Sequence, residues 1–130
     1  MYLEIDRDAL LDALREELAR SGGIFGIRDE GLLESALARP AQLAAYASPP
    51  PAIFQLAAAV AYGLVRNHPF LDGNKRAGFI ACVMMLSIND RVLDMPEELA
   101  IETFLGLAVG SVTEATLMRL LEEHCPTSTA

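Results

Sequence analysis

Basic charge is scarce in this chain. Its 130 residues carry 10 Lys and Arg against 18 Asp and Glu, a formal net charge of -8. A nucleic-acid-binding domain normally shows a basic footprint, so this balance argues against DNA or RNA as a partner. Cysteine is scarcer still: Cys82 sits in an apolar stretch and Cys125 near the C-terminus. That separation and context point to two free thiols in a reducing cytoplasm and away from a structural disulfide. The beginning, MYLEIDRD, has charge where a secretion signal needs an apolar core. The longest apolar run, Ala77 to Ile88, is too short to cross a bilayer. The expectation is a cytoplasmic protein without membrane contact.

Several catalytic signatures are missing as well. His68, His124, Cys82 and Cys125 form no three- or four-ligand zinc pattern. No glycine-framed loop ends in lysine followed by Ser or Thr, so a Walker A site is excluded. There is no Gly-x-Ser-x-Gly elbow, no internal repeat, and no low-complexity tract beyond the proline run that ends at Pro51.

What is present is a hydrophobic content of 52%. At this length it suffices for one domain, residues 1–130, burying about two-thirds of its unfolded surface. The periodicity is helical throughout. Asp6 caps a first helix to about Arg20, with Leu10, Leu11, Leu14 and Leu18 on one face and Gly22 and Gly23 ending it. Ile24 to Arg28 is a loop holding two large apolar residues, Phe25 and Ile27. Either these tuck under and pack, or the loop serves to hold another chain in extended form. Asp29 caps a second helix to about Arg39, which Pro40 stops, and Ala41 to Pro51 is a connection. A third helix covers Ala52 to Arg66. A fourth, from Gly73 to about Asn89, is apolar on all sides through AGFIACVMMLSI and is predicted to be the buried central helix, with Met84 and Met85 as core filling. After a turn at Asn89 and Asp90, Pro96 opens a helix to about Val109. Ser111 with Glu114 fits a capping box for a last helix, which Pro126 ends before a frayed tail.

Between the third and fourth helices stands HPFLDGNKR, His68 to Arg76. It contains one of two histidines and the only lysine, Lys75, in a chain that otherwise places positive charge on arginine. Asp72 with Gly73 reads as a cap and first turn, so the first free backbone N–H groups belong to Gly73, Asn74 and Lys75. Lys75 and Arg76 in a first helical turn oppose the helix dipole by roughly 0.3–1 kcal/mol each. A bound phosphate reverses that sign, because backbone donors, dipole and both cations then act together while Gly73 admits the backbone closely. His68 stands just upstream, placed to take a proton from a hydroxyl. Phe70 is expected to point into the core. Singly, each residue has a structural reading: His68 in a turn, Asp72 as a cap, Asn74 as a turn former. Jointly, the pattern should arise by chance less than about once in ten million windows.

HPFLDGNKR resembles the signature of the Fic/Doc superfamily, and its Asn-Lys-Arg ending is similar to the Doc (death-on-curing) branch. The resemblance extends to Ser21–Pro40, SGGIFGIRDEGLLESALARP, which looks like the Doc-type stretch forming a substrate-facing flap. It implies an all-α fold, a compact helical bundle around a buried central helix. In the adenylylating Fic branch the motif continues Gly-Asn-Gly-Arg with a second arginine three residues later. Lys75 and Phe79 stand at those positions here, as in the Doc pattern, and Ile80 stands where the Doc toxin carries a polar residue.

The resemblance therefore implies a toxin of a toxin–antitoxin system, a protein Ser/Thr kinase using ATP and Mg2+, with elongation factor Tu as the expected target. His68 would be the base, Asp72 the metal ligand, and Gly73, Asn74, Lys75 and Arg76 the cradle for the transferring group. The nucleotide would lie reversed, γ-phosphate before the base. The sequence has no autoinhibitory Ser/Thr-x-x-x-Glu-Gly/Asn segment, so restraint is expected from a Phd-like antitoxin whose disordered segment folds on the toxin. Two rivals remain open: a Fic-type AMP transferase, and a non-enzymatic module that only binds a partner.

Overall fold

The computed structural model describes residues 1–126, and the tail expected to fray falls at residues 127–130, outside the described residues. Six helices form: α1 (Arg7–Ser21), α2 (Glu30–Tyr46), α3 (Ile53–Asn67), α4 (Asn74–Ile88), α5 (Glu97–Val109) and α6 (Glu114–Glu123). No strand occurs among the described residues, and none of the helices is long and apolar enough to cross a membrane. The fold is all-α, a bundle of the kind the motif implied.

Local chemistry sets most of the boundaries. The Asp6 carboxylate accepts from the Ala9 N–H at 3.0 Å, and α1 ends where Gly22 turns left-handed and donates to the Leu18 carbonyl. Asp29 caps α2 through the Leu32 N–H at 2.9 Å. At α3 the cap works in reverse, since Ala52 has no polar side chain: Gln55 Oε1 reaches back to the Ala52 N–H at 2.7 Å. Thr113 caps α6 through the Thr116 N–H at 3.1 Å. This corrects the capping box expected at Ser111 and Glu114. Glu114 is instead the first helical residue, and it pairs with Arg39 Nη2 at 2.8 Å, tying α6 to α2.

Proline 40 does not stop the second helix. The helix runs on to Tyr46 with Pro40 buried beside Leu33 and Ala36, so Ala47–Ala52 is the true connection. A proline inside a helix forgoes one backbone hydrogen bond at a cost of about 3 kcal/mol. Burial of this face on both sides of Pro40 offsets it, helped by Arg39. Its guanidinium donates to the Ala59 carbonyl of α3 and lies 5.2 Å from the centre of the Tyr62 ring.

The bundle is organised around a buried helix, and that helix is α3. Leu56 to Ala61 and Gly63 to Val65 are all buried, and the alanine run lets neighbours approach from every side. Val60 and Leu64 join one core with Leu10, Leu14, Leu18, Leu33 and Phe70. Leu56, Ala57, Ala61 and Val65 join another with Phe104, Leu107, Leu117 and Leu121 of α5 and α6. The apolar α4, expected at the centre, lies along α3 and serves both cores: Ala77 and Ala81 in the first, Cys82, Met85 and Leu86 in the second. Its Phe79, Ile80, Val83 and Met84 are half-buried, and Ile88 is exposed. Composition marks α4 as buried, but only packing distinguishes it from α3. Both cysteines are free thiols, and burial pushes the Cys82 thiol up to about 12, away from reactivity.

Pro40→Ala tests how the second helix is held. Alanine restores a bond worth, with propensity, about 3 kcal/mol. It removes two buried methylenes worth about 0.8 kcal/mol each. The balance predicts a gain of roughly 1 kcal/mol in urea unfolding. A loss would show that ring packing, not the missing bond, dominates at this position.

Candidate active site

The nine residues His68–Arg76 cover the turn between α3 and α4 and the first three residues of α4, and a buried side chain sets the shape of the turn. Asn74, the first residue of α4, is only 5% exposed. Its Oδ1 accepts from the Phe70 N–H at 2.9 Å, and its Nδ2 donates to the Phe70 carbonyl at 3.1 Å. One amide thus satisfies both backbone groups of a residue whose ring is fully buried, leaving no orphan in the core. The Phe70 ring points inward as expected, 6.4 Å from the Phe25 ring. Because the Asn74 side chain is buried with both its oxygen and its nitrogen bonded to Phe70, what Asn74 offers an anion is its backbone N–H.

Asp72 does not cap α4. The N-cap is Gly73 at φ 77°, with no side-chain hydrogen bond to the helix. That left-handed step, open chiefly to glycine, turns the chain so that Asp72 faces the loop after α1 instead. There its Oδ2 accepts from the Ile24 N–H at 3.3 Å. A Cβ on Gly23 would come within 2.7 Å of the same oxygen, so a larger residue there would displace the Asp72 carboxylate. The consequence is chemical. Among the described residues the first N–H groups of α4 find no acceptor, at the positive end of a helix dipole.

These donors open into a cleft of about 420 Å³. Ser21, Gly22 and Gly23 at the end of α1 form one wall, Leu71 to Arg76 the floor, and Val65, His68 and Ala108 the remaining sides. The cleft brings together all the residues singled out from the sequence: His68, Asp72, Gly73, Asn74, Lys75 and Arg76. Lys75 makes no ion pair among the described residues, whereas Arg76 donates to the Ser21 hydroxyl. Nearby, the hydrogen-bonded Arg20 guanidinium holds the Glu17 carboxyl below its usual range, and the positive charge of Arg76 adds to the effect. Lys75 and Arg76 are the two cations that line the cleft.

His68 closes α3 as its C-cap in the left-handed region, φ 55° and ψ 52°. It is exposed to the cleft. The loop from Ile24 to Arg28 runs antiparallel to the turn: Ile27 bridges Phe70, Leu71 N–H donates to Gly26 O at 2.9 Å, and Arg28 N–H to Pro69 O at 2.7 Å. Of the two readings of this loop, packing holds for its large side chains. Phe25 and Ile27 are half-buried against the first core, and the Arg15 guanidinium covers Phe25 at 4.5 Å from the ring centre. The opposite backbone edge, carrying the N–H groups of Phe25 and Ile27, makes no backbone hydrogen bond among the described residues. Sequence reasoning missed the Asn74 clasp, the bond from Arg76 to Ser21 and the contacts of Arg28. The last two join segments that only the fold brings together; the clasp is local, four residues apart, but an Asn at that spacing reads equally well as a turn former.

No cluster of three or more His, Cys, Asp or Glu suited to a metal occurs among the described residues. Among the described residues, Asp72 is the one carboxylate lining the cleft. A single carboxylate with substrate phosphates and water is a donor set that suits Mg2+, which seldom uses an all-protein cage. The residues present fit such an ion.

Residues 3–86, which span α1 to nearly the end of α4 and the whole motif, match the model of the Fic/DOC family. The chain is also similar to Toxin Doc of Mycolicibacterium smegmatis, with 35% identity over 106 residues, 74% of this chain and 79% of that protein.

Asn74→Ala should show what the clasp contributes. It strands a buried donor and a buried acceptor on Phe70, each costing about 1–3 kcal/mol. Urea unfolding is expected to register a loss of at least about 2 kcal/mol. Unchanged stability would mean that something else holds the turn.

Proposed function

The chain belongs to the Fic/DOC family, and from that premise we propose that it is a Doc-type toxin, a kinase that transfers the γ-phosphate of ATP to a Ser or Thr hydroxyl of a protein. The observation that carries this reading is the uncapped N-terminus of α4 with unpaired Lys75 beside it, opening into the cleft that His68 lines. In this proposal residues 1–130 act as one domain, and the target is a translation factor of the elongation factor Tu kind, whose modification arrests growth.

The chemistry follows from the placement of charge. His68 takes the proton from the acceptor hydroxyl as its oxygen bonds to the γ-phosphorus. The bond from that phosphorus to the β,γ-bridging oxygen breaks, and ADP leaves with the electron pair. The backbone N–H groups of Gly73, Asn74 and Lys75, the Lys75 ammonium and the Arg76 guanidinium hold the oxygens of the transferring group. Asp72 would hold Mg2+, which supplies charge neutralisation across the phosphates when bound. Lys75 occupies the space that is glycine in the adenylylating branch, so the outer phosphates are held before the base and the α-phosphate is kept away.

Two further features support a protein as the acceptor. The free backbone edge at Phe25 and Ile27 suits pairing with an extended target segment. A toxin of this kind requires restraint, and the proposed partner is a Phd-like antitoxin with a segment that folds on this chain.

The two enzymatic readings separate by label. Offered ATP labelled at the γ- or the α-position with a cell extract, the protein is expected to transfer only γ-label to a protein. The label should vanish in Asp72→Ala and fall about 10²–10⁴-fold in His68→Ala, which should also relieve growth arrest on expression. Transfer of α-label would replace the kinase with an AMP transferase. Full toxicity of His68→Ala would remove the base assignment.

A further inference from the structure

We infer that Arg28, which the reading above leaves without a role, is the positioning residue for His68; this rests on His68 being the base. Arg28 donates to three successive backbone carbonyls. Its Nε reaches His68 O at 2.8 Å, its Nη2 reaches Asn67 O at 3.2 Å, and its own backbone N–H reaches Pro69 O at 2.7 Å. The Asp29 N–H adds a second bond to Pro69 O at 3.1 Å. Carbonyls at the C-terminus of a helix lack helical partners and carry its negative dipole, so a guanidinium there satisfies both needs. The planar fork spans two of them at once, as a single ammonium cannot.

The segment so held needs holding. His68 has φ 55°, a region that residues other than glycine enter at a cost and keep only when their surroundings over-determine it. It also precedes Pro69, and the residue before a proline prefers an extended backbone. Released, His68 relaxes towards that preference and its Cβ swings, carrying the imidazole off the cleft. Arg28 itself is fixed: it directly precedes Asp29, the cap of α2, and Asn67 Nδ2 binds Leu32 O at 3.0 Å, fastening the same two segments again. Arg28 does not line the cleft, so its loss removes no group from the nucleotide.

The test uses Arg28→Ala and Arg28→Lys in the full chain, with rates expressed per folded molecule. For Arg28→Ala, kcat for transfer to the acceptor protein is expected to fall about tenfold to a hundredfold, because a displacement near 1 Å costs that much, with KM for ATP unchanged. Arg28→Lys keeps the charge without the fork and should recover part of kcat. Two histidines make a second, activity-free readout possible. In proton NMR spectra without nucleotide, the His68 imidazole signal should move in Arg28→Ala. The signal of His124, whose Nδ1 lies 2.8 Å from Leu120 O at the far end of α6, should stay in place. An unchanged kcat per folded molecule, or an unmoved His68 signal, overturns the inference. Should label come from the α-phosphate, the kinase reading falls, while the same comparison of kcat and the imidazole signals still decides the role of Arg28.

Discussion

The turn between α3 and α4 depends on a single buried amide. Asn74 closes on both backbone groups of Phe70, and the Phe70 ring anchors that residue in the core between α1, α2 and α3. With the residue before the turn and the residue after it locked together, the backbone between them has little freedom left. Leu71 and Asp72 are pushed out towards solvent, Gly73 takes the left-handed step, and α4 starts with its donors uncovered. A helix N-terminus is usually closed by its own cap. Here the capping oxygen is used elsewhere, and the open donors are a product of how the turn is clasped.

Where signals are local, the sequence anticipates the structure. Asp6 and Asp29 act as caps, Gly22 ends α1, Pro96 opens α5, and HPFLDGNKR joins two helices, because each of these is decided within a few residues. Failures fall where tertiary packing outweighs local preference. Pro40 carries the signature of a helix stop, yet it sits inside α2 because its face is buried against α3. Asp72 carries the signature of a cap, yet it faces Gly23 and Ile24, some fifty positions back in the chain. Thr113 and Ser111 are equally good capping residues by type; the path of the chain out of α5 selects Thr113. In the site, the residue types and their assembly in one cleft were legible, whereas Asn74 as a clasp and Arg28 as a contact to Asn67 and His68 were not. The Arg28 contact depends on segments brought together by folding, while the clasp, though only four residues long, is hidden behind the turn-forming preference of Asn.

The charge balance of the molecule acquires a meaning from the site. Against a net charge of -8, a cluster of positive potential stands out only if its cations are not neutralised locally. Four of the nine arginines are paired with carboxylates: Arg7 with Glu30 and Glu34, Arg15 with Asp12, Arg20 with Glu17, Arg39 with Glu114. Lys75 and Arg76 make no ion pair among the described residues, and they stand in the first turn of α4, whose N-cap Gly73 offers no side-chain bond. An acidic surface also repels a free nucleotide from everywhere else. On the proposed reading, selectivity for where phosphate settles arises as much from the charge around the cleft as from the cations within it.

The loop from Ile24 to Arg28 connects these features mechanically. One edge of its backbone is bound to Pro69 and Leu71, and its Phe25 ring leans on Phe70, the residue Asn74 clasps. The other edge is free. If an extended acceptor pairs with that free edge, its register is referred through two or three backbone hydrogen bonds to the segment that bears His68. Backbone ladders have fixed spacings, so a target docked there meets the base at a set distance whatever its side chains are. Specificity for a particular target must then come from contacts outside the ladder, where Ile24 and Leu71, 69% and 59% exposed, are the large apolar side chains that flank it.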